Sequence, residues 1–148
     1  MNKSTVLKLI LMLSLIVFVF SGCSDDDNPA SAGSESLIGV WKATTSTTSY
    51  GSESSPDSTE SFTFIEGLVE FTLTLKDDNT WTAVFIVFGL TDNSSGTWSV
   101  SGNTITVKET GEADDTFEYS ISGNNLTLKS SETIDSYTTF EVVVYAKQ

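Results

Sequence analysis

The sequence predicts an all-β fold, an antiparallel up-and-down meander of eight to ten strands that closes into a small barrel. Three observations predict it. A ten-residue unit occurs twice, as Ser-Val-Ser-Gly-Asn-Thr-Ile-Thr-Val-Lys at Ser99–Lys108 and as Ser-Ile-Ser-Gly-Asn-Asn-Leu-Thr-Leu-Lys at Ser120–Lys129. Each unit is two short alternating runs joined by Gly-Asn, which suits a II′ or I′ hairpin turn. The stretch Ser61–Phe88 alternates in the same way. Finally, no window outside the apolar segment near the start carries a helical period.

The turns set the register. With Gly102-Asn103 as the loop, Val100 faces Ile105, Trp98 faces Val107 and Ser99 faces Thr106. With Gly123-Asn124 as the loop, Ile121 faces Leu126, Tyr119 faces Leu128 and Glu118 faces Lys129. A slip of one residue would turn the whole apolar set outward. Asp77-Asp78-Asn79 reads as a three-residue loop whose last asparagine takes the left-handed conformation. It places Leu75 opposite Trp81, Leu73 opposite Ala83, Phe71 opposite Phe85 and Val69 opposite Val87. A turn at Glu66-Gly67 would set Phe64 against Val69 and Phe62 against Phe71. Strands are thus expected from Gly39, Ser61, Leu68, Thr80, Gly96, Thr104, Thr116, Asn125 and Tyr137. Short connections make sequence neighbours antiparallel neighbours, and closure removes the exposed edges. A β-sandwich is the alternative arrangement of the same strands.

Two segments depart from simple alternation. Thr45–Ser61 is Ser/Thr/Gly/Glu-rich with Pro56, the composition of a long loop. The strands at Trp81–Phe88 and Tyr137–Ala146 are apolar on both faces, through Val84, Ile86 and Phe88 in one and Phe140, Val142 and Val144 in the other. Strands of that kind are covered on both sides.

Composition removes much chemistry. The chain has 20 acidic residues and seven lysines, with no arginine and no histidine. Lys3 and Lys8 precede the apolar segment, so the remainder carries a net charge near −15. Such a surface repels phosphate, which argues against nucleic-acid partners. Without histidine there is no Ser-His or Cys-His pair and no imidazole metal ligand. Without arginine there is no bidentate clamp for a carboxylate or phosphate. Asp77-Asp78-Asn79 lacks the spacing of a calcium loop, and Glu109, Glu112, Asp114 and Asp115 read as a solvated turn. We therefore expect no catalytic residues, no metal site and no cofactor.

The first residues give an address. Met1–Lys8 is short and basic, and Leu9–Phe20 is apolar except for Ser14. Twelve residues of helix span about 18 Å, short of the roughly 30 Å core of a bilayer. The segment has the form of a secretory signal. Phe20-Ser21-Gly22-Cys23 ends it and resembles the lipobox of bacterial lipoproteins, with phenylalanine where leucine is commoner. The resemblance implies cleavage before Cys23 and acyl chains on it, a membrane anchor of more than one chain. Ser24-Asp25-Asp26-Asp27 resembles the acidic signal that sends some lipoproteins to the cell surface. The expected organisation is a signal peptide at 1–22, an acidic disordered tether at 23–36 and a barrel at 37–148, held on the outer membrane.

Gly39-Val40-Trp41 at the head of the first strand, followed by the meander, resembles the lipocalin-like families. The resemblance implies that Gly39 lets the strand bend and that Trp41 plugs one end of the barrel. It also implies a basic residue packed over the tryptophan, for which Lys147 is the candidate. A lipocalin-like barrel is expected to bind a small hydrophobic ligand, here against Phe62, Phe64, Phe71, Phe85, Trp98 and Tyr119. The alternative is a non-catalytic structural or protein-interaction lipoprotein whose barrel is filled by those same aromatics.

Replacing Cys23 with alanine should abolish acylation. Incorporation of labelled palmitate into the Cys23→Ala chain at the wild-type level would overturn the assignment of the anchor.

Overall fold

A computed structural model describes residues 34–53, 55–134 and 137–148. The expected signal peptide, Cys23 and the acidic run lie outside the described residues. A single helical turn, α1 (Ser34–Leu37), leads into nine strands. These are β1 (Gly39–Ser52), β2 (Ser55–Thr63), β3 (Val69–Leu75), β4 (Thr80–Val87), β5 (Leu90–Ser101), β6 (Thr104–Glu109), β7 (Asp114–Ser122), β8 (Asn125–Ile134) and β9 (Tyr137–Lys147).

From β3 to β9 each strand pairs antiparallel with the next, and β9 pairs back along β1 from Trp41↔Lys147 to Tyr50↔Thr139. β1 and β3–β9 therefore form a closed eight-stranded barrel, with β2 as an additional strand. Following the paired rows once round from Gly39 returns to β1 near Ser52. The stagger is about 12 residues, larger than the strand number, so the strands are steeply tilted.

One end carries α1 and the turns at Asp77–Asn79, Gly102-Asn103 and Gly123-Asn124. Gly102 and Gly123 have φ of 59° and 56°, and neither following asparagine is left-handed. Both turns are thus of the glycine-first II′ kind, whose twist matches that of the flanking strands. Asn79, at φ 60°, closes its three-residue loop, with Asp78 accepting from the Thr80 amide at 2.9 Å. The carboxylate is occupied by turn geometry, which also holds its pKa below the ordinary value, chiefly through the Thr80 hydroxyl. The registers expected for β3–β4, β5–β6 and β7–β8 are those observed, including Leu75↔Trp81, Trp98↔Val107 and Tyr119↔Leu128.

Three expectations need correction. Thr45–Ser52 is the second half of β1 and not part of a loop; with Ser55–Ser61 it makes a hairpin, β1 against β2. The turn at Glu66-Gly67 does not pair Phe62 with Phe71. β2 runs along β1 (Ser46↔Phe62), and only an isolated bridge, Ile65↔Val69, spans that turn. β2 and β3 lie end to end on the same edge of β1, separated by the excursion around residues 64–68. The strand expected from Gly96 begins at Leu90, because the β4–β5 ladder continues to Val87↔Leu90.

The outward apolar residues have a local cover. Val84 lies between Thr72 and Asn93, Val142 between Thr47 and Lys129, and Val144 between Thr45 and Thr127. Val84, Ile86, Phe140, Val142 and Val144 are half-buried by such neighbours. Phe88 differs: it sits in the β4–β5 turn and is 73% exposed.

Gly96 shows how tightly the wall is built. A Cβ there would lie 1.9 Å from the Lys108 carbonyl oxygen and 2.9 Å from the Trp81 indole nitrogen. The ring of Trp81 crosses the one position on β5 that has no side chain. Gly96→Ala should destabilise the domain by about 3 kcal/mol or more, since backbone cannot move aside. Chemical denaturation measures it; a loss under about 1 kcal/mol would mean the strand separates easily there.

Candidate functional site

The inward side chains are fully buried at one end of the barrel and partly exposed at the other. At the closed end Trp41 is fully buried, and its indole N–H donates to the Leu37 carbonyl at 2.7 Å. α1 therefore acts as the stopper that satisfies the ring. Lys147 places its Nζ 5.0 Å from the Trp41 ring centroid and within 3.4 Å of the Ser36 carbonyl. Gly39, at φ 144°, lets the chain turn into β1 beneath the lysine side chain. Above this stopper lie Leu73, Leu75, Trp81, Trp98, Ile105, Tyr119, Leu126 and Leu128, all under 9% exposed. The Trp98 indole donates to the Lys76 carbonyl at 3.1 Å.

Toward the other end the inward side chains become half-exposed. Phe71, Phe85, Val107, Phe117 and Val143 line this cup. Phe71 packs against Phe85 at 6.3 Å and against Tyr145 at 6.1 Å between ring centroids. A bulge between Ala43 and Thr45 shifts the alternation of β1. After it, Ser46, Thr48 and Tyr50 take the inward positions, so this part of the wall is polar. Across β2, β1 and β9 one row reads Glu60, Thr48, Glu141, and the next reads Phe62, Ser46, Val143. Thr48 is 5% exposed, which makes this the inner face.

The carboxyls on that face have unusual surroundings. Glu141 accepts a hydrogen bond from Ser46 Oγ at 3.1 Å. Burial pushes its pKa above the ordinary carboxylate value of 4.5, and the serine opposes the shift. Tyr145, one inward step lower on β9 beyond Val143, is 6% exposed. Its phenol is pushed well above the ordinary range, first by burial and then by the charge of Glu141. Glu60 Oε2 is buried without a hydrogen-bond partner. The described lysines are elsewhere: Lys42 binds Glu70 at 2.9 Å, Lys108 binds Asp114 at 2.9 Å, Lys129 lies 3.8 Å from Glu53, Lys147 covers Trp41 and Lys76 follows β3 at the closed end.

A second recess, of about 390 Å³, opens on the outside of the wall where β2 and β3 part from each other beside β1. Ala43, Phe64 and Val69 floor it, and Lys42, Glu66 and Glu70 stand over it. Lys42 is held above its ordinary pKa chiefly by its hydrogen bond to Glu70. Glu70 is held below its own by that bond and by the Gly67 amide at 2.6 Å.

The residues expected to bind a ligand thus divide three ways. Phe71 and Phe85 line the cup. Trp98 and Tyr119 belong to the buried packing below it. Phe62 and Phe64 stack edge to face at 5.3 Å, on β2 and the residue after it, with Phe62 37% exposed. Sequence reasoning missed Glu60, Glu141 and Tyr145 as inward polar groups. For Glu60 the loop composition hid the strand; for Glu141 the bulge in β1 decides the facing.

Glu141 gives the site a measurable pH signature. The folded state keeps this proton over a range in which the unfolded chain has already released it. Stability from this group therefore falls as pH rises from about 4.5 toward the raised folded-state value, then stays level. Glu141→Gln should match wild type near pH 4 and show the higher denaturation midpoint at pH 8. Equal midpoints at both pH values would place the carboxyl in water.

No curated protein matches the chain. The sequence pattern of the lipocalin-like domain matches residues 37–128, from the stopper of the closed end through most of the barrel, leaving β9 beyond the match. That match spans more than half of the chain, and the structure closes the same stretch into an eight-stranded antiparallel barrel with β9. The chain belongs to the lipocalin-like domain family.

Proposed function

We propose that this protein is a lipid-anchored extracytoplasmic binding protein whose cup holds one small hydrophobic ligand. One observation carries the reading. The inward side chains next to the stopper are buried, while Phe71, Phe85, Phe117 and Val107 face inward farther along the barrel and remain half-exposed. Apolar groups facing a concave space at partial exposure are what a hydrophobic molecule covers on binding. Members of the family are generally binding proteins rather than enzymes.

The anchor and the cup are compatible. α1 enters at the closed end. An acylated Cys23 would therefore attach the domain by its stopper and leave the mouth facing away from the membrane. The triple aspartate of Asp25–Asp27 favours surface display on the outer membrane.

A second reading has its own observation. Phe88 holds φ at 48° in the β4–β5 turn, where an aromatic side chain costs about 1–2 kcal/mol relative to glycine. Leu90 beside it is 78% exposed, and the Phe88 amide donates to the carbonyl of Leu68, itself 46% exposed. An apolar corner kept at such a cost supports a protein-interaction role for the rim.

Native mass spectrometry of detergent-free protein with decanol as a probe tests the first reading. One bound molecule per chain is expected. Phe71→Trp with Phe85→Trp, which overfills the cup, should weaken binding about tenfold or more. Decanol held equally by wild type and the double variant would locate binding outside the cup, and no binding at all would leave the interaction reading.

A further inference from the structure

The cup has a chemistry that its apolar lining does not explain, and the chemistry selects among hydrophobic molecules. Four features meet on one side of it. Glu60 and Glu141 flank Thr48 in a single inward row across β2, β1 and β9. Among the described residues Glu60 Oε2 is buried with no hydrogen-bond partner, and Glu141 has only the Ser46 hydroxyl. Tyr145 is more than nine-tenths buried below them, and its hydroxyl has no hydrogen-bond partner among the described residues. The fourth feature is aromatic: Phe71 lies against Tyr145, and Phe62 sits one inward step below Glu60 on β2.

A buried carboxylate ordinarily has a cation beside it. Here no cation stands beside them among the described residues: the chain has no arginine or histidine, and the described lysines lie elsewhere. Carboxylates and a phenol oxygen accept hydrogen bonds, and aromatic faces attract cations. An ammonium group satisfies all of them at once, with three N–H donors. A carboxylate-ended ligand would meet two like charges and no donor fork.

Resting on the reading of the cup as a hydrophobic site, we propose that its ligand is an apolar amine, with the ammonium between Glu60 and Glu141 and the hydrocarbon against Phe71 and Phe85. Fatty acids of the same length are excluded.

The test titrates the full-length lipoprotein in lipid nanodiscs with decylammonium, decanoate and decanol, using protein-free nanodiscs as the blank. Decylammonium should bind at least about tenfold more tightly than decanoate. Glu60→Gln combined with Glu141→Gln should remove that preference and leave decanol binding in place. Asp77→Asn, a charge change at the closed end, should leave the preference intact, which separates the site from the general acidity of the surface. Decanol binding without a preference for the amine would overturn this inference alone. A preference that survives the double variant would overturn it as well. Failure of all three probes would overturn the binding reading together with it.

Discussion

β1 has to satisfy more partners than any other strand, and the shape of the molecule follows from how it does so. Its lower residues, Gly39–Lys42, pair with β3, its upper residues, Thr45–Ser52, pair with β2, and its other edge pairs with β9 over most of its length. A backbone edge inside a protein cannot be left without partners. When the β2–β3 chain leaves β1 near Thr44, the gap is bridged by the Phe64 amide donating to the Thr44 carbonyl at 2.9 Å. On the β9 side the Thr44 hydroxyl donates to the Val144 carbonyl at 2.9 Å, beside the bulge. One threonine thus mends both edges where the strand changes partner.

The bulge also changes which residues enter the lumen. Below it β1 contributes Trp41 and Ala43; above it come Ser46, Thr48 and Tyr50. Without the extra residue Thr45, Thr47 and Ser49 would face inward, and Ser46 could not reach Glu141. The separation of a dry lower half from a mixed upper half is therefore a matter of register as much as of composition. Outside the barrel the same strand pairs Lys42 with Glu70 and Glu66 at 2.9 and 3.7 Å, in water, where such contacts add little stability. Inside, the acids have no lysine. Opposite charges are available to the fold, and they are spent on its exterior.

What could be read from the chain alone follows the range of the interactions. The hairpins β3–β4, β5–β6 and β7–β8 depend on a turn and the residues next to it, so Gly102-Asn103, Gly123-Asn124 and Asp77–Asn79 fix them locally. β2 was illegible because Ser55–Thr63 carries almost no alternation; eight of its nine residues are exposed and its only partner is β1. The turn at Glu66-Gly67 exists, with Gly67 at φ 78°, yet the strand before it belongs to another partner. Leu90–Ser95 was lost for a similar reason, since Thr91-Asp92-Asn93-Ser94-Ser95 is polar and rests on β4 alone. Aromatic cup residues were legible through their register opposite one another. The acids were not, because a glutamate in an alternating strand reads as solvent-facing until a bulge elsewhere reverses its side.

The most buried packing and the inward acids lie in different rows of the same barrel. The rows containing Trp41, Leu75, Ile105 and Leu126 hold residues exposed by 1% or less. The rows containing Glu60, Thr48 and Glu141 differ, with a buried oxygen lacking a donor and a carboxyl whose pKa is forced upward. Departures from the local rules of a fold are expected where it binds something or is strained. Burial disfavours the charged form of Glu141, and the Ser46 hydroxyl opposes that shift only in part. An ammonium in the cup would reverse that balance, favouring the ionised carboxylate as its counterion. The unfavourable row would thereby be relieved in the complex, in a barrel whose most buried side chains lie toward the opposite end.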